Sequence, residues 1–154
     1  MGIYTLIQTS VEGLGDMGMS LSIAAIGSAI GTGVAGMAAI GAWKKMITNG
    51  QKASTAMLIF VGAPLSQVFY GMILKNTIAD ANLSPDSYVW QIILGLFAGA
   101  AMAGSAIFQG KVGARACDAI GSGASDIVKY IMIIGVVETV ALFVMIFTMT
   151  GLPG

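Results

Sequence analysis

The sequence contains no histidine and a single cysteine, Cys117. One cysteine excludes an internal disulfide, and without histidine there is no Cys/His cluster of the kind that holds zinc. Charge is scarce as well. Charged residues make up 9% of the chain, against about 25% in soluble domains, which excludes an ordinary water-soluble globule. The 7 basic and 7 acidic residues cancel, so no net field draws nucleic acid and no nucleic-acid partner is expected. The opening segment Met1–Asp16 has Glu12 and Asp16 but no Lys or Arg. It lacks the basic start of a secretory signal peptide, so the first hydrophobic segment is expected to stay in the mature protein. No Walker-type loop is present, and the glycines lie within apolar stretches, so no nucleotide site is expected.

What is present is apolar surface. Hydrophobic residues are 56% of the chain and the mean hydropathy is +0.89, values that belong to a polytopic membrane protein. A hydrocarbon core about 30 Å thick needs about 20 helical residues to cross it. Four stretches qualify, roughly Met17–Trp43, Ala53–Lys75, Tyr88–Gly113 and Ser125–Thr150. Polar punctuation separates them: Lys44 to Lys52, then Asn76 to Ser87 with Asp80, Pro85 and Asp86, then Arg115 to Gly123.

Charge asymmetry orients the bundle. Lys44, Lys45 and Lys52 flank the first connection, and Lys111, Arg115 and Lys129 flank the third. The opposite end has Lys75 as its one basic residue, with the acids Glu12, Asp16, Asp80 and Asp86. The positive-inside rule therefore places the connections at about 44–52 and 114–125 in the cytoplasm and both termini outside. Tyr88 and Trp90 suit the outer interface and Trp43 the inner one.

The chain repeats itself. Gly27-Ser28-Ala29-Ile30 recurs 77 positions later as Gly104-Ser105-Ala106-Ile107, and the register continues through Gly33/Gly110, Gly36/Gly113 and Ala39/Ala116. The second and fourth spans align 73 positions apart, pairing Gly62 with Gly135 and Ser66 with Thr139. This is a tandem duplication of a helical hairpin, the first over residues 1–80 and the second over 81–154. An even number of spans separates the copies, so they run parallel through the membrane. Spans one and three carry the GxxxG pairs Gly27/Gly31 and Gly95/Gly99, and small residues let helix backbones approach closely in lipid. Spans two and four are bulkier, with Phe60, Phe69, Phe143 and Phe147. Small-residue helices on a tight inner radius, with bulky helices outside, is the arrangement expected.

Glu138 stands out against this background, in the middle of an apolar stretch from about Tyr130 to Met149. An acid at the bilayer centre costs roughly 2.5 to 3.5 kcal/mol on insertion scales, and such a residue usually faces a protein interior or a water path. In the repeat alignment it falls opposite Leu65, so the first hairpin has no carboxylate there. Few other polar side chains lie at this depth: Thr139 beside it, Ser66, Gln67 and Tyr70 in span two, and Gln109 in span three. Positions 63, 66/67 and 70 share a helix face. Pro64 removes a backbone N–H and leaves the Phe60 carbonyl without its usual donor. Broken backbone near buried polar groups is how membrane proteins build ion sites. A carboxylate, a hydroxyl, two amide carbonyls and a backbone carbonyl make a hard-cation donor set. One negative charge suits a monovalent ion, and Na⁺ is the expected one. The competing readings are a proton carrier, which needs only the carboxyl, and interhelical hydrogen bonding by Ser66 and the glutamines.

With these residues in view, the chain resembles the duplicated, four-span proteolipid of the V-type ATPase rotor ring, the bacterial Na⁺-translocating type in particular. The resemblance runs over nearly the whole chain. It is carried by Pro64-Leu65-Ser66-Gln67-Val68-Phe69-Tyr70-Gly71, Gly104-Ser105-Ala106-Ile107-Phe108-Gln109-Gly110-Lys111-Val112 and Val137-Glu138-Thr139. It implies an all-α membrane protein of two hairpins that assembles into a homo-oligomeric ring in a bacterial plasma membrane. It implies Na⁺ ligands at Glu138, Gln109, Gln67, Ser66 and the Ala63 carbonyl, a carboxylate lock at Tyr70, and supporting places for Thr139 and Pro64. Implied partners are the lipid bilayer, a membrane stator subunit with a positive residue, and a central-stalk subunit at the cytoplasmic connections. ATP hydrolysis would lie in a separate soluble motor, so this chain is not an enzyme on its own. Ser66 stands where Thr is familiar, and Leu65 where Gly is. The alternatives are the same ring coupled to H⁺, a four-span drug/proton antiporter, and a structural assembly protein. The antiporter lacks this duplication and usually places its glutamate in the first span.

Overall fold

Asp16 starts the first helix. Its carboxylate accepts from the backbone N–H of Gly18 at 2.9 Å and of Ser20 at 2.8 Å, donors that have no partner inside the helix. Left-handed turns at Met17 (φ 54°) and Gly18 (φ 78°) lead the chain into α1, Met19–Thr48. The computed structural model describes residues 15–124 and 126–153. Glu12, counted among the outer acids, and Ser125, the expected first residue of the fourth span, lie outside the described residues. Three further helices follow. α2 covers Met57–Asp80 and is broken by a 3-10 turn at Ala63–Leu65. After a 3-10 turn at Pro85–Ser87 comes α3, Tyr88–Gly121, and then α4, Ile127–Thr150. The described residues contain no strand. All four helices are long and apolar enough to cross a membrane.

Two of them outrun the expected spans. α1 has 30 residues and α3 has 34, lengths of about 45–50 Å that exceed a hydrocarbon core of about 30 Å. Lys44, Lys45 and Arg115 therefore ride on helix extensions rather than on loops. Most of the expected 114–125 connection is helical, through Gly121. The extension is held by packing: Ala116, Cys117, Ile120 and Gly121 are buried, and Gly121 rests on Ala42 of α1.

The central contact joins α1 and α3 through the small residues. Gly27 lies against the backbone of Ala103, Gly31 against the Ala106 carbonyl, and Gly110 against the Gly31 backbone. A Cβ at any of the three would collide with its neighbour. Of the two GxxxG pairs, Gly27, Gly31 and Gly99 belong to this seam, Gly99 facing Met19, Ser20 and Ile23. Gly95 has a different duty: it leaves room for the buried Asp16 carboxylate. The bulkier α2 and α4 flank the seam, and α4 is the least buried helix, with Val136 69% and Phe147 68% exposed. Two apolar clusters fill the bundle. Met57, Phe60, Cys117 and Ile134 form one; Leu74, Met102, Ala141 and Met145 form the other. On α2, α3 and α4 alike, the polar residues lie between the two clusters.

Candidate ion-binding site

Three helices bring the polar residues together. α2 supplies Ser66, Gln67 and Tyr70 from the turn that follows the Pro64 break; α3 supplies Gln109 and α4 supplies Glu138. Tyr70 donates its hydroxyl to Glu138 Oε1 at 2.7 Å. Gln109 Nε2 approaches the other carboxylate oxygen at 3.5 Å and the Ile134 carbonyl at 3.4 Å. Gln67 Nε2 donates to Gln109 Oε1 at 3.0 Å. Gln67 and Gln109 are both 0% exposed, so their amides must find partners in the protein. Glu138, Tyr70 and Ser66 are half-buried.

The Pro64 break is a 3-10 turn, and this decides where the carbonyls go. The Ser66 N–H donates to the Ala63 carbonyl, and the Ser66 hydroxyl lies 3.1 Å from the same oxygen. The hydroxyl is also 3.3 Å from Gln67 Oε1. Ser66 has one hydroxyl proton, so it serves one of these acceptors at a time. Turning that proton away would free Ser66 Oγ and Gln67 Oε1, and would leave the Ala63 carbonyl with the Ser66 backbone N–H and an open lone pair. The Phe60 carbonyl, which Pro64 leaves without a helical donor, is instead approached by α3 at Gly113, where a Cβ would stand 2.7 Å from it. Pro64 itself is buried against Gly31.

Among the described residues no cation stands beside Glu138. The ion pairs found there are Arg115–Asp118 and Lys129–Asp126, both exposed and both between neighbours on one turn. Thr139 is exposed and donates to the Val136 carbonyl at 2.7 Å, so it stays outside the cluster. Leu65 is 46% exposed beside the break.

Sequence reasoning passed over Ser105. It is buried and donates to the Val137 carbonyl at 2.8 Å, tying α3 to the residue just before the carboxylate. Its repeat partner Ser28 is equally buried but has no hydrogen-bond partner, and neither has the Thr32 hydroxyl, which occupies the place of Gln109. The recurrence of Gly-Ser in the two hairpins was the available signal. The first hairpin keeps the hydroxyls without the network.

Residues 92–150 match the protein family of the ATP synthase C subunit. The matched segment is less than half of the chain; it takes in Gln109 and Glu138 and leaves the α2 residues outside. No curated protein and no solved structure matches the chain. The second half of this integral membrane protein, the half with the carboxylate, is thus similar to the C subunit of ATP synthase.

Proposed function

We propose that this chain is the ion-carrying subunit of the membrane rotor ring of a V-type ATPase, and that it binds Na⁺ at Glu138. The observation that carries the reading is one hydrogen-bonded chain, Ser66 to Gln67 to Gln109, that ends with Tyr70 on a single membrane-depth carboxylate. Glu138 supplies the charge, and Ser66, Gln67, Gln109 and the Ala63 carbonyl supply neutral oxygens, a donor set suited to a hard monovalent cation. Tyr70 holds one carboxylate oxygen and so fixes the direction in which the other points. Loading requires the Ser66 hydroxyl to turn and the Gln67–Gln109 pair to open, so that their oxygens face the ion.

The sequence of events follows from charge. Na⁺ enters from one side of the membrane and neutralises Glu138, after which the site can pass lipid without exposing a bare carboxylate. A positive residue on a separate stator subunit displaces the ion toward the other side. Rotation is driven by ATP hydrolysis in a soluble motor coupled through a central stalk at the cytoplasmic ends of the helices. Moving one charge against 100 mV costs about 2.3 kcal/mol. The ring is homo-oligomeric and sits in a bacterial plasma membrane with both termini outside, an orientation supported by the basic residues at one end.

A second reading, the same ring coupled to H⁺, is favoured by the Gln67–Gln109 hydrogen bond, since the two amides already satisfy one another without an ion. Carbodiimide labelling of Glu138 in the purified assembly separates the two. Carbodiimides attack a protonated carboxyl. Protection by Na⁺, but not by K⁺ at equal ionic strength, is the expected result. Labelling that ignores Na⁺ would transfer the role to protons, and a Glu138 that never labels would remove the transport reading.

A further inference from the structure

We infer that Ser105 is a positioning residue for the candidate site: its hydroxyl fixes the rotation of α4 about its own axis, and with it the direction in which Glu138 points. The inference rests on the ion-site reading and adds to it a residue outside the ligand set. The Ser105 hydroxyl donates to the Val137 carbonyl at 2.8 Å, and Ser105 is buried. One turn further along the same face of α3, Gln109 reaches the Ile134 carbonyl at 3.4 Å and Glu138 Oε2 at 3.5 Å. Residues 134, 137, 138 and 141 share a face of α4, so the two α3 side chains hold that face at two heights. The two holds differ in strength. The Gln109 contacts are at the long limit for a hydrogen bond, whereas the Ser105 contact is short. Ion loading also asks the Gln109 amide to turn, which loosens its hold, and asks nothing of Ser105.

α4 needs such a tie. It is the least buried of the four helices, and only Ile134, Ala141 and Met145 are buried along it. Lipid is as apolar as a neighbouring helix face, so apolar contact does little to choose one rotation of α4 over another. A turn of one residue swings a side chain by about 100°, and a fraction of that takes the carboxylate away from Tyr70 and Gln109. The first hairpin has the same hydroxyl without the tie. Ser28 stands 77 positions before Ser105, is 1% exposed and has no hydrogen-bond partner among the described residues. The counterpart of Val137, 73 positions earlier, is Pro64, in the 3-10 turn that breaks α2. α4 runs unbroken through this level and carries the carboxylate, whereas α2 is broken there and carries Leu65. The tie is thus made in the hairpin that has a carboxylate to aim.

Carbodiimide labelling of Glu138 in the purified assembly, at graded Na⁺ and constant ionic strength, tests the assignment. Ser105→Ala is expected to raise the Na⁺ concentration that half-protects Glu138 by about 3- to 20-fold, the range that interhelical hydrogen bonds in membranes support. Ser105→Thr keeps the hydroxyl, and the groove of about 590 Å³ that Ser105 lines with Gly104, Val136 and Val137 has room for its methyl. It is expected to restore parental protection. Ser28→Ala removes a hydroxyl that has no partner and is expected to leave protection unchanged. Unfolding in mixed SDS and mild detergent is followed for each variant. Half-protection at the parental Na⁺ concentration in Ser105→Ala, with or without a lower unfolding midpoint, makes Ser105 a structural tie only and overturns the inference. An equal shift in Ser28→Ala, or no rescue by Ser105→Thr, overturns it as well. If Ser105→Ala does not assemble, Ser105→Cys, close in volume and with a weak S–H donor, is read in its place. A parent that Na⁺ does not protect overturns the ion reading and the inference with it.

Discussion

Glu138 and Tyr70 share the shortest hydrogen bond of the candidate site, 2.7 Å, in a half-buried setting. A hydrogen bond to a charged group contributes about 1.5–3 kcal/mol. Tyr70→Phe is therefore expected to raise the Na⁺ concentration that half-protects Glu138 from carbodiimide by roughly 10- to 100-fold, with the carboxyl still reactive. Gln67→Leu and Gln109→Leu divide the two coupling ions. If Na⁺ is the cargo, both variants lose the Na⁺ protection that the parent shows; if the cargo is a proton, Na⁺ leaves labelling unchanged in the parent and in both variants. Glu138→Gln is expected to abolish labelling and ion binding together, read as loss of bound ²²Na⁺. Thr139 shows how a neighbour in sequence differs from a neighbour in space. One residue along a helix turns the side chain by about 100°, and Thr139 accordingly bonds back to Val136 and not to the cluster. Ser105, far from Glu138 in sequence, reaches the Val137 carbonyl.

At the scale of helices, the seam between α1 and α3 is the structural centre, and its glycines are not equivalent. Gly110→Ala drives a methyl into the Gly31 backbone, an overpacking that costs about 1–3 kcal/mol. Gly62→Ala meets nothing within 4 Å and is expected to be neutral or to stabilise by a few tenths of a kcal/mol to about 1 kcal/mol. Unfolding of the two variants in mixed SDS and mild detergent measures the difference; equal midpoints would show that the seam is not what holds the hairpins together. The break in α2 belongs to this scale as well. Pro64 announces it; the 3-10 turn puts the Ser66 N–H and hydroxyl both on the Ala63 carbonyl, and Gly113 of α3 leaves room for the Phe60 carbonyl on the other side.

For the whole molecule, orientation is the property most open to test. Lys52→Cys and Ser122→Cys, in the Cys117→Ala background, are expected to react with an impermeant maleimide from the cytoplasmic side, and Asn82→Cys from the outside. The reverse pattern would invert the bundle. The four spans, their polar punctuation and the out-of-place carboxylate were legible in the residue order, because a bilayer demands long apolar helices and makes any charge inside them conspicuous. The candidate site was legible in its membership through helical spacing and through the resemblance of three short motifs to a known proteolipid. Helix ends were less so: α1 and α3 run beyond the hydrocarbon width because alanine and glycine pack them onto each other outside it. Composition alone settles that this chain lives in a membrane, since hydropathy is a sum over residues and needs no partner. Which side chains meet depends on how each helix is rotated about its axis. The burial of the Asp16 carboxylate in the space left by Gly95 and the tie from Ser105 to α4 were settled by packing of segments distant in sequence, which no local pattern encodes.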